Sequence, residues 1–448
     1  MEFFGIKPGR QVAIYFVIAI LIGTALLLLP VSSKNQPIEF INALFTATSA
    51  ICVTGLTVLD TGKDFSLFGQ IVILLLIQLG GIGIMTFTTA ILVSIGSKLS
   101  FHDKYGLSQS LSTGTRTPTK SLLKAVVITT LSFELIGALF LFFKFRTQFS
   151  FGHAVFNAIF HAVSAFCNAG FSTFSNSLEN YRFDPFIIIV FSLLIISGGL
   201  GFAVIRELIT KIKHKEIKLS LHSKLCLTTT AALLIIGTVA FYGAESSNLF
   251  KNTDIGYNIS NAFFQAVTCR TAGFNTLSQI HLTDVSILLS MILMFIGACP
   301  GSTGGGTKTT TFAIIFLLVY NRFFGRRSVT AFKRSITNDS ISRAATILLS
   351  AIMIIVIMFV LLLFSEEIPA AFSLGHGWFV SSLFEVISAF GTVGLSMGVT
   401  PYLHYLGKII IIILMFTGRV GLLTLAFALA RPPKQGEIVY LEEGVMVG

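Results

Sequence analysis

Charge is what this sequence has least of. Only 11% of its 448 residues are Asp, Glu, Lys or Arg, against about a quarter in a soluble domain. So few solvating groups exclude a soluble enzyme, a disordered chain and a nucleic-acid binder. Cysteine is scarce as well. Cys52, Cys167, Cys226, Cys269 and Cys299 are far apart, odd in number and free of CxxC or Cys/His spacing, so neither a disulfide framework nor a zinc site is indicated. Carboxylates are nearly missing from the apolar stretches, which argues against a membrane-embedded enzyme built on clustered His, Asp or Glu. The stretch GSTGGGTKTT resembles a phosphate-binding loop in composition. Thr307 rather than glycine precedes Lys308, however, and no strand leads into it, so it is not read as a nucleotide site. No small-residue cleavage pattern follows MEFFGIKPGR, and no removable signal peptide is read.

What the chain has in excess is apolar surface: 54% hydrophobic residues, 44 of them Phe. That composition predicts a polytopic membrane protein. A bilayer core takes about 20 apolar residues of helix. Seven stretches qualify, at 11–29, 68–95, 125–143, 186–205, 225–242, 344–364 and 407–429. An eighth, 285–320, is long enough but is interrupted by a Gly/Pro-rich segment that no straight helix crosses easily. Shorter apolar segments at 40–51, 156–166, 260–268 and 378–390 cannot span and read as re-entrant half-helices, tolerated only where protein or water surrounds them. The loops at 96–124, 206–224 and 321–343 hold five, six and six basic residues. By the positive-inside rule these loops, and with them both termini, face the cytoplasm.

The informative feature is repetition. NALFTATSAICVTGLT, NAIFHAVSAFCNAGFS, SNAFFQAVTCRTAGFN and SSLFEVISAFGTVGLS align on Gly55, Gly170, Gly273 and Gly394. Ten residues before each glycine stands Phe45, Phe160, Phe263 or Phe384; six before stands Ser49, Ser164, Val267 or Ser388. The outgoing spans carry GGIG at Gly80, GGLG at Gly198, GRVG at Gly418 and the glycine Gly297. The unit is helix, short helix, glycine-centred loop, helix, so the predicted fold is all-α: four pseudo-symmetric helix–pore-helix–helix repeats, eight transmembrane spans around one central pore. The boundaries fall at 1–95, 96–205, 206–320 and 321–430, with a cytosolic tail at 431–448.

Four parallel repeats bring four loops to one axis. A dehydrated monovalent cation needs oxygen ligands, and main-chain carbonyls supply them without a trapping charge. Glycine admits the backbone angles that such exposure demands, and each short helix points its negative C-terminal end at its loop. The candidate ligands, all through main-chain atoms, are Cys52, Val53, Thr54 and Gly55; Cys167, Asn168, Ala169 and Gly170; Arg270, Thr271, Ala272 and Gly273; and Gly391, Thr392, Val393 and Gly394.

The loops CVTGL, CNAGF, RTAGF and GTVGL, with the broken third outgoing helix, resemble the Ktr/Trk/HKT superfamily of potassium transporters, most closely the bacterial Ktr-type membrane subunit, over essentially the whole chain. The resemblance implies K+ uptake across the bacterial plasma membrane, with K+ held at Gly55, Gly170, Gly273 and Gly394. It implies a homodimer with one pore per subunit and a cytosolic RCK-type ring subunit that carries the nucleotide, ATP or ADP; no cofactor is implied in this chain. Some plant members with Ser at the first filter glycine prefer Na+, so Gly55 favours K+ here; Na+ dependence stays open. Single anchor glycines, in place of a TVGYG run, imply looser selectivity than a channel filter. The resemblance further implies an intramembrane gate loop at Gly297, Ala298, Cys299, Pro300, Gly301, Ser302, Thr303, Gly304, Gly305, Gly306, Thr307 and Lys308, and a pore-facing Arg419 below the filter. Glu134, His161, Arg270 and Glu385 are read as structural pairs behind the filter, their partners open. Part of the cytosolic surface, with the tail at 431–448, is read as the docking site for the ring. The rival function is a secondary transporter of another small solute, but that class shows inverted repeats and midplane carboxylates.

Overall fold

The computed structural model describes residues 8–34, 36–96, 119–326, 328–369, 372 and 377–421. The expected tail at 431–448 lies outside the described residues, as do residues 97–118 of the first basic loop. The described chain is nearly all helix: α1 (Pro8–Leu27), α2 (Phe40–Ile51), α3 (Leu67–Gly96), α4 (Thr119–Phe145), α5 (Phe151–Phe166), α6 (Pro185–Leu200), α7 (Phe202–Lys213), α8 (Leu221–Glu245), α9 (Ile255–Thr268), α10 (Asp284–Phe295), α11 (Thr309–Phe323), α12 (Asn338–Ser365), α13 (Gly377–Gly391) and α14 (Tyr405–Val420). A two-residue hairpin pairs Thr330–Ala331 with Arg334–Ser335.

Helix starts follow capping chemistry. The side chains of Asp184, Ser220, Asp254, Thr283 and Thr337 each accept a hydrogen bond from an amide of the first turn, and Pro185 opens α6 where its missing N–H costs nothing. Among the described residues, three helical stretches are long and apolar enough to cross a membrane: Lys124–Phe145, Leu221–Glu245 and Asn338–Ser365. Their buried share is low; residues such as Leu135, Ile235 and Leu349 present their apolar surface outward, at 73%, 65% and 67% exposure, as a lipid-facing surface requires.

The short helices sit inside. Each packs on the two helices that flank it in sequence and on the outgoing helix of the preceding unit: α2 on α1, α3 and α14; α5 on α4, α6 and α3; α9 on α8, α10 and α6; α13 on α12, α14 and α10. The α2–α14 contact closes the circle, so four units surround one axis. The outgoing glycines serve this packing. Gly80, Gly198 and Gly418 lie against the main-chain oxygens of Ile51, Phe166 and Phe390, where a Cβ would strike backbone. Small residues at such crossings let helices approach closely in a membrane, where no hydrophobic effect drives them together.

Two sequence expectations are corrected. The run 186–205 is not one straight helix: α6 ends at Leu200, Gly201 takes φ 84°, and α7 leaves at 102° to α6. The apolar run continued through the glycine, so hydropathy hid the bend. The third repeat is also out of register on its pore helix. Phe264 rather than Phe263 is fully buried there, at 0% exposure, because the hydrogen-bonded turn from Thr268 to Ala272 is one residue shorter than the turns 49–54, 164–169 and 388–393.

Candidate ion-binding site

The chain folds into a pore helix and loop four times over by one local recipe. The amides of Thr54, Ala169 and Val393 fold back to the carbonyls of Ser49, Ser164 and Ser388, at 2.8, 2.7 and 2.9 Å. The same serines tie the loop by their hydroxyls: Gly55 N to Ser49 Oγ at 3.1 Å, Ser164 Oγ to Phe171 O at 2.7 Å and Gly394 N to Ser388 Oγ at 3.1 Å. In the third repeat the hydroxyl comes from Thr268, which donates to Phe274 O at 2.5 Å, and Ala272 N bonds Thr268 O at 3.0 Å. Val267 is therefore not the counterpart of those serines; Thr268 is, five residues before Gly273 instead of six.

Each loop then makes two left-handed steps. Gly55, Gly170, Gly273 and Gly394 have φ of 94°, 70°, 77° and 91°. Two residues earlier, Val53, Asn168, Thr271 and Thr392 have φ of 55°, 59°, 69° and 49°. A left-handed conformation is costly for a side-chain-bearing residue, and most of all for β-branched Val or Thr; four in one register mark a geometry the fold imposes. Alternating handedness turns successive carbonyls to the same side, whereas an extended strand would alternate them.

The four glycines meet. A Cβ placed on Gly55 would lie 2.5 Å from Ala169 O and 3.0 Å from the Gly170 Cα; one on Gly170 would lie 2.9 Å from Ala272 O and 3.0 Å from the Gly273 Cα. One on Gly273 would strike Val393 O and lie 3.3 Å from the Gly394 Cα, and one on Gly394 would strike Thr54 O and lie 3.0 Å from the Gly55 Cα. Each loop thus abuts the next, and the fourth abuts the first. Together the four glycines floor a cavity of about 540 Å³ that opens outward past Thr57, Ser172, Asn275 and Ser396. Glu179, from the turn before α6, also lines this cavity, and its Oε1 accepts from Asn275 Nδ2 at 2.7 Å. Partial burial raises the Glu179 carboxyl above the ordinary glutamate range, against the opposing pull of the Asn275 amide. Nothing in its local sequence marked Glu179; only the fold carries it to the cavity.

Behind the ring sit polar and ionisable groups of the pore helices and of the segments around them. His161 Nε2 meets Ser172 Oγ at 3.0 Å, and its Nδ1 meets Asn157 O at 2.7 Å. Glu385, at the same position of its repeat, accepts from Ser396 Oγ at 3.0 Å and from Thr400 Oγ1. The equivalent Gln265 donates to Gln279 Oε1 at 2.8 Å. Glu134 accepts from Gln78 Nε2 at 2.9 Å. Arg270 Nη2 donates to Thr230 Oγ1 at 3.3 Å on α8.

Residues 297–308 lie directly beneath the loops. Thr303 Oγ1 bonds Phe166 O at 3.2 Å, and Cys299 N and Thr303 N bond Gly199 O and Gly198 O at 3.0 and 3.2 Å. Gly304 and Gly305 press on the side chains of Thr271 and Thr392, and Gly306 on the backbone of Gly391, the last residue of α13 rather than part of its loop. Ala298, Cys299, Ser302 and Thr303 are buried. Lys308 Nζ donates to Gly304 O at 2.6 Å. Arg419, buried on α14, donates to Gly80 O at 2.7 Å and to Thr303 O. It thereby ties the first outgoing helix, the last one and the 297–308 segment together. An unpaired arginine at membrane depth costs about 2.5–3.5 kcal/mol on insertion scales, and these carbonyls are its partners.

Lipid-facing helices around an axial cavity, closed below by a loop and floored by main-chain atoms, define a multi-pass membrane transport protein rather than an enzyme. Comparison with known proteins narrows the class. Residues 3–439 match the TrkH family, described as cation transport protein, and the chain belongs to that family. It is 39% identical over 443 residues to the Ktr system potassium uptake protein B of Bacillus subtilis, covering 98% of this chain and 97% of that protein. It is 38% identical over 448 residues to the potassium/sodium uptake protein NtpJ of Enterococcus hirae, covering 99% and 98%. The crystal structure of the potassium transporter TrkH from Vibrio parahaemolyticus superposes with a TM-score of 0.74 over 96% of this chain and 86% of that one, at 20% identity, which speaks to the fold.

Proposed function

We propose that this chain is the K+-translocating subunit of an uptake system in a bacterial plasma membrane. The observation that carries the reading is the closed circle of Gly55, Gly170, Gly273 and Gly394 at the floor of an outward cavity. K+ sheds its water there against main-chain carbonyls of the four loops, and the inward-negative potential drives it at roughly 2.3 kcal/mol per charge per 100 mV. The segment 297–308, latched by Arg419, is the gate. On this reading the chain crosses the membrane eight times in four repeats, and both termini lie in the cytoplasm. A homodimer regulated by a cytosolic RCK-type ring that binds ATP or ADP fits the likeness to Ktr system proteins, and the likeness to a potassium/sodium uptake protein makes Na+ dependence part of the proposal. The test is growth: a bacterium lacking its K+-uptake systems regains growth at low K+ when it expresses this chain with a cognate ring subunit. Correctly inserted protein that leaves the strain K+-starved overturns the reading.

Glu179 adds a pH prediction. Its carboxylate is the acidic group beside Asn275 at the outer mouth, and a negative charge there concentrates cations. Because its titration is raised, neutralisation begins above the ordinary glutamate range as external pH falls. Uptake from low external K+ is therefore expected to decline in that range while uptake at saturating K+ holds. Glu179→Gln is expected to raise KM about three-fold and to flatten the pH profile. A Glu179→Gln variant with the unaltered pH profile would refute the role.

A further inference from the structure

The second outgoing helix does not finish straight. The 102° bend at Gly201 turns α7 away from the direction of α6. At 100° per residue, Phe202, Ile205, Leu208, Ile209 and Ile212 share one stripe of α7, while Arg206, Glu207, Thr210 and Lys211 share the other. The stripe begins against protein, with Phe202 and Ile205 buried. It ends uncovered, with Ile209 at 43% and Ile212 at 76% exposure. The charge around it is one-sided. Arg206, Lys211, Lys213, Lys215 and Lys218 outnumber Glu207 and Glu216, and Glu207 Oε2 is occupied by Ser220, accepting from its N at 3.1 Å and its Oγ at 3.0 Å. An uncovered apolar edge flanked by cations is complementary to a leaflet of anionic phospholipid.

The other end of α7 touches the segment beneath the glycine ring. Phe202 N donates to Gly301 O at 3.1 Å. A Cβ on Gly201 would lie 2.7 Å from Pro300 O and 3.1 Å from Gly301 C, so the bend and the loop are packed backbone on backbone. A displacement of α7 has no slack to absorb it before it reaches Gly301.

We propose that α7 is a membrane-surface lever. Its Ile209–Ile212 edge sits among anionic phospholipid headgroups, and that attachment sets the position of the 297–308 segment. The attachment stands on the geometry of α7 alone, whereas its consequence for flux rests on the gate reading above.

The test uses the full-length chain in vesicles of phosphatidylcholine, with and without about one third phosphatidylglycerol. Ile212→Cys and Thr210→Cys are spin-labelled separately. The five native cysteines are all buried, so the introduced thiol takes the label. The expected result is a label at 212 relaxed by oxygen more than by an aqueous nickel chelate, more deeply so with phosphatidylglycerol, and a label at 210 that stays aqueous. K+ flux is expected to be about three-fold higher in the anionic vesicles, a ratio that falls to near one in a Lys211→Gln, Lys213→Gln, Lys215→Gln triple variant. A label at 212 that stays aqueous in both lipids overturns the attachment and favours a protein partner on this face. A deep label with a flux ratio unmoved by the triple variant overturns the coupling. A deep label in a chain without any flux refutes the uptake reading, and the coupling with it, while the attachment stands.

Discussion

Replacing Gly394 with alanine is expected to raise the KM for K+ uptake by about ten- to a hundred-fold, and replacing Gly170 is expected to do the least of the four. The ranking follows from space. At Gly394 and Gly273 an added Cβ strikes a main-chain oxygen of the neighbouring loop, Thr54 O or Val393 O; at Gly55 it lies 2.5 Å from Ala169 O, and at Gly170 it lies 2.9 Å from Ala272 O. The struck atoms are backbone, so relief requires one loop to push the next, and the closed circle passes the displacement on. Left-handed φ adds about 1–2 kcal/mol for any residue with a Cβ, and each 1.4 kcal/mol is a factor of ten. Gly243, with nothing near its Cβ, is the control and is expected to tolerate alanine. The measurement is Rb+ or K+ uptake kinetics, alongside K+ against Na+ discrimination, in protein whose membrane level matches the unaltered chain. Equal KM values across the four variants would show that the glycines pack loops together without shaping a cation site.

The repeats were legible in the sequence because close backbone packing leaves a residue type behind. Only glycine fits where α3, α6 and α14 cross the ends of the pore helices, and only glycine is at ease at φ of 70–94°, so the crossing glycine stands out in three segments and the loop glycine in all four. Side-chain roles were less visible. Alignment on the glycines put Val267 opposite Ser49, Ser164 and Ser388, since spacing alone does not reveal that one turn is a residue shorter; the hydroxyl of Thr268 does, once its bond to Phe274 O is seen. Val53, Thr271 and Thr392 gave no warning of their left-handed φ, because tertiary contacts impose it against their own preference. The bend at Gly201 was hidden inside a continuous apolar run. The pairings of Glu134 with Gln78 and of Arg270 with Thr230 needed coordinates, as contacts between distant segments do. The contact of Arg419 with Thr303 is of the same kind: the two residues are 116 positions apart, and neither one's neighbours in sequence announce the other.

That contact sets the second large effect. Arg419 holds Thr303 O and Gly80 O at once, so it fixes the 297–308 segment under the glycine ring and, on the proposed function, sets a positive charge on the route of the ion. At about 6 Å and an effective dielectric near 20, a guanidinium and a K+ repel by about 3 kcal/mol. Removing it lowers that barrier and frees the loop, and both changes act in the same direction. Arg419→Ala is therefore expected to raise K+ flux in proteoliposomes at least about ten-fold, since each 1.4 kcal/mol is a factor of ten. Arg419→Lys keeps the charge but lacks the planar fork that reaches two carbonyls, and is expected to fall between. Deleting several residues of the 297–308 segment is expected to reproduce the increase with Arg419 present, because the obstruction is then gone while the charge remains. The comparison separates the two contributions. If deletion matches Arg419→Ala, the loop is the barrier and Arg419 is its latch; if Arg419→Ala exceeds the deletion, the charge itself limits passage. Flux unchanged in both, with the protein correctly inserted, would mean that neither the loop nor the arginine stands in the way of the ion.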